Sequence, residues 1–503
     1  MLNAHLNLDP ASLIGPVNRR VFGSFVEHLG RCVYDGIYEP GHPTANSDGF
    51  RQDVIELVRE LGVSTIRYPG GNFVSGYRWE DGTGPRESRP SRLDLAWHSI
   101  ESNEIGLDEF SRWLALVGSE LMYAVNLGTR GVQEALDVLE YANIPSGTAL
   151  SNERIANGSP QPHGIRMWCL GNEMDGPWQL GHGTATEYAQ LAAKTARAMR
   201  QVDNALELVV CGSSGAAMPT FGEWERIVLE ETYDEVDFIS CHAYYEPVNG
   251  DLASFLASAV DMDRFIESVV ATADHVKALR RSDKTMNVSF DEWNVWYQSR
   301  YNEVEKITDP NVWPQAPRLL EDSYSVLDAV VFGGLLISLI RHADRVTAAS
   351  LAQLVNVIAP IMTEPGGPAW RQTTFYPFAI TSRLARGHAL RIRLDSPTTS
   401  TDAYGDVQMV DAVATHDEAL GATSVFLVNR SLTETVTVDI AVDRLGVGSL
   451  DSVESIFDDD VHATNTLSHP DRVVPKTNTT ARLHDGTVTI SLPPVSWTAL
   501  SMH

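Results

Sequence analysis

The segment IRMWCLGNEMDGPWQLGHGTATEYAQLAAKTARAMRQVDNALELVVC, residues 165–211, contains one complete strand–helix–strand unit. IRMWCL (165–170) and LELVVC (206–211) are short apolar runs, and EYAQLAAKTARAMRQV (187–202) places apolar side chains at i, i+3 and i+4. Two strands joined by such a helix are expected to run parallel in one sheet. The polar triplet GNE (171–173) follows the first strand directly, at the carboxyl edge of that sheet.

The same alternation continues on both sides of this unit. The helical patterns include RQDVIELVREL (51–61), DEFSRWLALV (108–117) and the long stretch 252–281. Eight strands are predicted in all, at 21–26, 64–68, 121–126, 165–170, 206–211, 236–241, 286–291 and 346–353. Eight strands alternating with helices predict an α/β fold, the (β/α)8 TIM barrel. A doubly wound open sheet is the alternative, but VFGSFVEHLG (21–30) lacks the Gly-rich phosphate turn that usually follows its first strand.

The character of the sequence changes after about residue 389. Helical periodicity disappears, and short alternating runs such as SVFLVNRS (424–431) and TVTVDIAV (435–442) follow one another between turn residues. This pattern predicts an antiparallel, all-β sandwich of the jelly-roll-like kind. NAHLNLD (3–9) also alternates and is expected to add a strand to the sandwich. The expected division is 1–18 for the N-terminal strand or strands, 19–386 for the barrel and 387–503 for the sandwich.

Charge and hydropathy exclude several classes of partner. The formal net charge is −28, and no Lys/Arg cluster offsets it locally, so neither nucleic acid nor an anionic membrane surface is expected to bind. The most apolar run, 324–340, contains Asp328 and two glycines and is shorter than a membrane span usually needs. It is expected to form a buried helix.

The cysteines and the N-terminus indicate a reducing compartment. The four cysteines, Cys32, Cys169, Cys211 and Cys241, are widely spaced and form no C-x-x-C pair. Three of them fall in strand-like apolar runs, where a free cysteine behaves as a small buried hydrophobe. MLNAHLNLDPASLIG (1–15) has no basic region, sustained apolar stretch or small-residue cleavage site. We therefore expect a cytoplasmic protein without disulfides.

Polar residues follow the predicted strands, where the active site of a TIM barrel is built. They are Glu27, His28, Arg67, Asn72, Asn126, Asn172, Glu173, His242, Tyr244, Tyr245, Asp291, Glu292, Asn294, Gln353 and Asn356. Glu173 and Glu292 end strands four and seven, which face each other across such a barrel. Two opposed carboxyls are what glycosidic cleavage needs, since one gives a proton to the leaving oxygen and the other meets the anomeric carbon.

The neighbours of the two carboxyls predict a role for each. A hydrogen bond from Tyr244 and the positive charge of Arg67 are expected to keep Glu292 ionised, as a nucleophile must be. The negative charge of Glu292 should in turn keep Glu173 protonated, as a general acid must be. The amide of Asn172 can bind a sugar hydroxyl next to the reaction centre. For retention of configuration, we expect about 5 Å between the two carboxyls.

Each of these residues also has an ordinary structural interpretation. A single glutamate at a strand end is usually an exposed surface carboxylate. The joint occurrence of Glu173 and Glu292 with Asn172 and Tyr244 favours a catalytic role instead. For His28 and His242, a packed or hydrogen-bonded structural role is at least as common as proton transfer, and we predict a supporting role for His242. Trp97, Trp178 and Trp296 fit either a core or stacking walls for sugar faces.

Six stretches around these residues resemble the α-L-arabinofuranosidases of glycoside hydrolase family 51. They are FGSFVEHLGRCVYDGIYEP, IRYPGGNFVSGYRWEDGTGP, WCLGNEMDGPWQLGH, SCHAYY, DEWNVWY and LAQLVNVIAPIMT, in this order between residues 22 and 363. GNE alone is shared by many barrel glycosidases, but the six together are specific. The polar positions show no departure from the family pattern, whereas the C-terminal part resembles the family only in general character.

The resemblance implies a barrel followed by a β-sandwich, no cofactor or metal, and a retaining, exo-acting hydrolase. Its substrates would be terminal non-reducing α-L-arabinofuranosyl groups of arabinan, arabinoxylan or derived oligosaccharides. When the roles of the matching family residues are assigned position by position, Glu173 is the acid/base and Glu292 is the nucleophile. The residues that would hold the bound sugar are Glu27, Asn72, Asn172, Tyr244 and Gln353. Trp97 and Trp178 resemble aromatic positions near the leaving-group side. Family members are often intracellular homo-oligomers, commonly hexamers or trimers.

Three other functions remain open at this point. A β-xylosidase or endoglucanase on the same scaffold differs only in the pocket that receives the sugar ring. A non-catalytic carbohydrate-binding protein is disfavoured because both candidate carboxylates are present. A metal-dependent hydrolase is disfavoured because the sequence has no H-x-x-x-H or similar ligand cluster.

Overall fold

Eight parallel strands close into a barrel in the computed structural model, which describes residues 2–503. In chain order, barrel strands one to eight are Gly23–Phe25, Thr65–Tyr68, Glu120–Val125, Met167–Leu170, Glu207–Val210, Phe238–Tyr245, Asn287–Val295 and Val346–Leu351. Strand eight pairs with strand one through Ser350 and Gly23, which completes the ring. The predicted TIM barrel is confirmed, with every strand near its expected position.

Strands six and seven extend further than the apolar runs predict. Pairing between them continues from His242 opposite Glu292 to Tyr245 opposite Val295. Most residues of these extensions are polar or aromatic, so the sequence suggested that the strands had already ended. These side chains lie at the mouth of the barrel, where functional polar residues are expected. Their polarity therefore does not mark the end of a strand. Glu292 consequently lies within a strand and not on a loop.

The helices surround the barrel and connect it to the second domain. They are Gln52–Leu61, Leu107–Val117, Val132–Asn143, Ala149–Ala156, Ala185–Val202, Glu223–Thr232, Leu252–Leu256, Ala259–Arg280, Gln298–Arg300, Val326–Arg341 and Phe375–Leu384. Helix Val326–Arg341 is buried along almost its whole length, as predicted. A Cβ on Gly333 would lie 2.2 Å from the Trp497 ring, so the glycine lets the helix approach the sandwich closely. No helix within 2–503 is long and apolar enough to cross a membrane.

Two β-sheets form the C-terminal part and enclose a second apolar core. The five-stranded sheet has the order Arg393–Asp395, Leu2–Asn7, Val436–Ala441, Thr487–Leu492 and Arg482–His484. The seven-stranded sheet has the order Leu13–Pro16, His388–Leu390, Val410–Asp417, Ala422–Asn429, Ser496–Met502, Leu450–Ile456 and Lys476–Thr477. One face of the larger sheet packs on the barrel through Phe426, Trp497 and Ala499.

The N-terminal segment contributes one strand to each sheet. Strand Leu2–Asn7 runs antiparallel to Arg393–Asp395 but parallel to Val436–Ala441, which departs from the expected antiparallel arrangement. This strand is far in sequence from Val436–Ala441, so no hairpin turn fixes their relative direction. The side chains of Ala4 and Leu6 are buried, and either a parallel or an antiparallel strand would bury them. We retain 1–18, 19–386 and 387–503 as a proposed division, which this pairing supports. All four cysteines are buried and unpaired.

Candidate active site

Two buried carboxylates meet at the carboxyl end of the barrel. Glu173 follows strand four with 8% of its surface exposed, and Glu292 lies in strand seven with 5% exposed. One oxygen of each carboxylate and a ring nitrogen of His242 all lie within 4.8 Å of one another. Glu173 has a φ of 43°, in the left-handed region that non-glycine residues rarely adopt and that is often found at functional sites.

Three side chains hold Glu292 in place. Arg67 Nη1 donates to Oε1 at 2.8 Å, Tyr244 donates its hydroxyl to Oε2 at 2.7 Å, and His242 Nδ1 lies 3.6 Å from Oε2. Burial alone would raise the pKa of Glu292, but the charges of His242 and Arg67 and the Tyr244 hydrogen bond lower it below the usual value. Glu292 therefore stays ionised although almost no water reaches it.

His242 connects the two carboxylates. Its Nδ1 lies 2.9 Å from Glu173 Oε1 as well as 3.6 Å from Glu292 Oε2. Burial lowers the pKa of His242, but the two nearby carboxylates more than offset this effect and raise it above 6.5. The ring thus hydrogen-bonds Glu173 and lies within ion-pair distance of Glu292.

Trp178 binds the oxygen of Glu173 that His242 does not. Its Nε1 donates to Glu173 Oε2 at 2.7 Å, while 53% of the side chain is exposed to solvent. Trp97, by contrast, is buried and donates its Nε1 to Glu27 Oε1 at 2.8 Å. The two tryptophans expected near the leaving group therefore differ, because only Trp178 contacts Glu173.

Glu27 follows strand one, and three donors bind its buried carboxylate. Phe73 N and Trp97 Nε1 donate to Oε1 at 2.9 and 2.8 Å, and Gln353 Nε2 donates to Oε2 at 3.1 Å. Burial raises the pKa of Glu27 to about 8, and these hydrogen bonds offset only part of that rise. Glu27 is therefore mostly protonated at neutral pH and presents both a donor and an acceptor to a ligand.

Replacing Glu27 by glutamine should flatten the pH dependence of stability. The pKa of Glu27 is about 8 in the folded protein against 4.5 for the ordinary side chain. The folded state therefore holds a proton that the unfolded state loses, and stability falls as pH rises from about 4.5 to 8, by up to about 1.4 kcal/mol per pH unit. Thermal unfolding of both proteins from pH 5 to 9 measures this. Glu418→Gln, at an exposed position, is the control, and parallel wild-type and Glu27→Gln curves would contradict the prediction.

Asn172, Asn72 and Gln179 form an amide cluster beside the carboxylates. Arg67 Nη2 donates to Asn172 Oδ1 at 2.5 Å, and Asn172 Nδ2 donates to Asn72 Oδ1 at 3.3 Å and to Gln179 Oε1 at 3.4 Å. Arg67 therefore fixes Glu292 and Asn172 together. The sequence did not single out Gln179, although it lies six residues beyond Glu173 in the same loop, where a search of the loops after each strand would have found it.

An aromatic wall continues from Tyr244 towards Trp97. Tyr244 meets Trp296 edge to face with ring centroids 5.0 Å apart, and Tyr301 lies between Trp296 and Trp97, 6.0 and 5.9 Å from their centroids. Buried Asp94 accepts from the backbone N of Trp97 at 3.1 Å and so orients that residue. Tyr301 and Asp94 were not predicted from the sequence, because neither directly follows a barrel strand.

Four other polar residues at strand ends serve the scaffold. His28 contacts Glu101 and Tyr68, each at 2.8 Å, and Asn126 Nδ2 donates to the carbonyl of Tyr77 at 2.9 Å. Asn294 and Asn356 likewise donate to backbone carbonyls of neighbouring segments. These four residues therefore hold neighbouring segments together and have a structural role. The residues predicted to be catalytic, sugar-binding or supporting, by contrast, all lie together at the barrel mouth.

Comparison with known proteins agrees with this geometry. Residues 57–267 match the family description "Alpha-L-arabinofuranosidase 1 domain", and residues 291–496 match "Alpha-L-arabinofuranosidase C-terminal domain". An intracellular exo-α-(1→5)-L-arabinofuranosidase of Streptomyces lividans is 60% identical over 502 residues, which cover 99% of this chain and 75% of that protein. An exo-α-(1→6)-L-arabinofuranosidase of Bifidobacterium longum is 60% identical over 510 residues, which cover 99% and 97% of the two proteins.

A solved structure gives the same result in three dimensions. It is that of a family 51 α-L-arabinofuranosidase from Bifidobacterium longum, with 50% sequence identity, a TM-score of 0.97 and full coverage of both chains. The resemblance found in the sequence is thereby confirmed in both domains. The chain belongs to the α-L-arabinofuranosidases of glycoside hydrolase family 51 and is an exo-acting glycoside hydrolase.

Proposed function

We propose that the enzyme is a retaining α-L-arabinofuranosidase with Glu292 as nucleophile and Glu173 as general acid/base. The supporting observation is that oxygens of the two carboxylates lie within 4.8 Å of each other. Retaining enzymes hold their carboxyls about 5 to 5.5 Å apart, whereas inverting enzymes leave about 6.5 to 9.5 Å for a water molecule. The separation of Glu173 and Glu292 therefore supports retention.

In the first step, Glu292 attacks the anomeric carbon of the arabinofuranosyl group. A covalent bond forms between a Glu292 oxygen and this carbon while the glycosidic C–O bond breaks. Glu173 gives its proton to the departing oxygen, so that the leaving group departs as a neutral alcohol. Arg67 and Tyr244, which hydrogen-bond Glu292, aim the attacking carboxylate.

In the second step, Glu173 acts as a base. It takes a proton from a water molecule, whose oxygen attacks the anomeric carbon and breaks the bond to Glu292. Arabinose leaves with the configuration that it had in the substrate, and Glu173 is protonated again for the next cycle. His242, in contact with both acids, accommodates the alternating charge on Glu173.

The bound sugar would be held by the polar groups around the two carboxylates. Glu27 and Gln353 on one side, and Asn72 and Asn172 on the other, offer donors and acceptors for the ring hydroxyls. For the natural substrate, we propose α-(1→5)-linked arabino-oligosaccharides released from arabinan, with arabinoxylan fragments as further substrates. The name of the Streptomyces lividans relative supports the (1→5) linkage, and the name of the Bifidobacterium longum relative makes (1→6) the competing linkage.

A comparison of glycosides tests the proposal most directly. We expect kcat/KM on an aryl α-L-arabinofuranoside to exceed that on the aryl β-D-xyloside or β-D-glucoside by at least about a hundredfold, because one misplaced ring contact already costs 1 to 3 kcal/mol. The (1→5)-linked arabinobiose should be cleaved faster than a (1→6)-linked arabinofuranoside, and NMR of the first product should show retention. Inverted product would reject the mechanism, and faster xyloside cleavage would reject the assigned sugar.

Chelating agents should leave the rate unchanged. Glu173, His242 and Glu292 lie close enough to offer three ligand atoms to a metal ion. The guanidinium of Arg67, 2.8 Å from Glu292, already supplies the positive charge at this point, so a second cation would be repelled. Activity after dialysis against EDTA, with and without added Zn²⁺ or Mn²⁺, measures this. Loss on chelation with recovery on metal addition would contradict the metal-free mechanism.

We also infer an intracellular location and a homo-oligomer. The Streptomyces lividans relative is named as intracellular, which supports the location. The assembly, a hexamer or a trimer, follows from the family resemblance alone. Light scattering of the purified enzyme would give the mass of the assembly directly, and a monomeric mass would reject this inference.

A further inference from the structure

A β-bulge in strand seven places another carboxylate, that of Asp291, beside Glu292. Between Ser289 and Trp293, strand seven carries one residue more than either of the strands that pair with it. In a regular strand, consecutive side chains point to opposite faces, and an extra residue re-aims one of them. Asp291 and Glu292 are neighbours in the chain, yet both approach the same guanidinium, that of Arg67.

Arg67 reaches both carboxylates across the interior of the barrel. It lies in strand two, which pairs with strands one and three and not with strand seven. Its Nη1 donates to Glu292 Oε1 at 2.8 Å and its Nη2 donates to Asn172 Oδ1 at 2.5 Å. Its Nε lies 3.9 Å from Asp291 Oδ2 and makes no hydrogen bond with any residue from 2 to 503. Each guanidinium nitrogen therefore faces a different side chain.

The scaffold holds Asp291 in place. The residue is 2% exposed, and the hydroxyl of Ser289 in the same strand donates to its Oδ1. The thiol of Cys169, in strand four, lies 3.9 Å from its Oδ2. Asp291 is thus anchored from two strands, with Oδ2 on the side of Arg67.

Several groups act on the ionisation of Asp291. Burial raises the pKa of its carboxyl above the usual value, and the negative charge of Glu292 raises it further. The positive charges of Arg67 and His242 and the Ser289 hydrogen bond lower this pKa, but they offset only part of the rise. When Glu292 loses its charge, one of the two effects that oppose ionisation disappears, and Asp291 becomes a stronger acid.

The charge around Arg67 changes during the proposed reaction. In the free enzyme, Arg67 is paired with ionised Glu292 at 2.8 Å. In the covalent intermediate, Glu292 is an ester and carries no charge. A buried cation that loses its partner is strongly destabilised unless another anion is near. Asn172 offers Arg67 only a neutral oxygen, whereas Asp291 offers a carboxylate within ion-pair distance.

We propose that Asp291 is a positioning residue that acts through Arg67. It fixes the third side of the guanidinium while Arg67 aims Glu292, and it remains the anionic partner of Arg67 while Glu292 is bound to the sugar. The inference rests on the proposed function of Glu292 as nucleophile. Asp291 therefore favours formation of the covalent intermediate more than its breakdown, because the breakdown returns the negative charge to Glu292.

Separate rates for the two reaction steps test this role. In Glu173→Ala, an aryl α-L-arabinofuranoside with a strongly acidic phenol should let the intermediate accumulate. The burst of phenol then reports the first step, and decay of the intermediate after removal of substrate reports the second. Adding Asp291→Asn should slow the burst by about tenfold to a hundredfold, the size of loss that a small misplacement of a reacting group causes. The decay should be at least as fast as before.

Asp411→Asn is the matched control. Asp411 is also buried and paired with an arginine, Arg430, but it lies in the sandwich. In the Glu173→Ala background, it should leave both rates unchanged, and thermal unfolding measures the stability of each variant. Ser289→Ala is the second test variant, because it removes the hydrogen bond to Asp291 and keeps every charged side chain. It should slow the burst by a smaller factor and spare the decay, and it decides the question if Asp291→Asn does not fold.

A purely structural role of Asp291 would slow both steps alike, so equal losses in burst and decay would overturn the proposal. An unchanged burst in folded Asp291→Asn would overturn it as well. Failure of the proposed function gives a different result. If Glu173→Ala alone forms no covalent intermediate, or if Glu292→Ala is fully active, the nucleophile itself is wrongly assigned. A normal intermediate in Glu173→Ala together with an unaffected Asp291→Asn rejects only the role of Asp291.

Discussion

Replacing Glu292 by alanine should reduce kcat by about 10⁵-fold or more while the protein stays folded. The variant has no nucleophile, and losses of this size are typical when the attacking group of a covalent mechanism is removed. Added azide should restore part of the rate, since the space left by the side chain admits a small anion. The restored product should be the glycosyl azide of inverted configuration, because azide would attack from the side on which Glu292 lies.

The control for this experiment is a buried glutamate away from the site. Glu134 is also 5% exposed and lies in helix Val132–Asn143, so Glu134→Ala removes the same group at equal burial. It should keep its kcat. Because Glu292→Ala removes the carboxylate that pairs with Arg67 at 2.8 Å, a loss of about 3 to 5 kcal/mol in stability is expected and must be measured by thermal unfolding. Full activity in folded Glu292→Ala would remove Glu292 from the mechanism.

Replacing Glu173 by alanine should have an effect that depends on the leaving group. For an arabino-oligosaccharide, whose alcohol is a poor leaving group, we expect the first step to slow by about 10³- to 10⁴-fold, because general acid catalysis contributes about 10²- to 10⁴-fold. For an aryl glycoside with a strongly acidic phenol, the first step needs no proton. The covalent intermediate should then accumulate, and azide should release a product of retained configuration.

Burst kinetics on the activated aryl glycoside would measure this difference. Trp178→Phe is a useful companion variant because it removes the hydrogen bond to Glu173 and keeps an aromatic ring in the wall. It should slow both substrates far less than Glu173→Ala does. Equal losses on good and poor leaving groups in Glu173→Ala would show that this residue is not the proton donor.

The sequence predicted the barrel because one kind of local signal repeats. Each barrel strand lies in an apolar run, and amphipathic helices separate these runs, so periodicity alone gave the element types and the number of barrel strands. The predicted ends of strands six and seven were wrong, because 242–245 and 292–295 remain paired although most of these residues are polar or aromatic. The parallel pairing of strand Leu2–Asn7 with Val436–Ala441 was also beyond reach, since alternation carries no information on strand direction.

The sequence likewise named the residues of the candidate site but not their contacts. Glu173 and Glu292 were found because they follow apolar runs and because parallel strands present their carboxyl ends on one face of a barrel. That Trp97 binds Glu27, and that His242 hydrogen-bonds Glu173 while lying 3.6 Å from Glu292, are contacts between segments far apart in the chain. No pattern within one segment predicts them.

By itself, the sequence determined the element types, the two-part organisation and the acidic and amide groups at the mouth of the barrel, because these depend on residue type and local spacing. Only the tertiary structure decided that two carboxylates lie within 4.8 Å, that burial raises the pKa of Glu27 to about 8, and that neighbouring charges lower the pKa of Glu292. Distance, desolvation and neighbouring charge arise when the strands close into a barrel and place distant segments against one another.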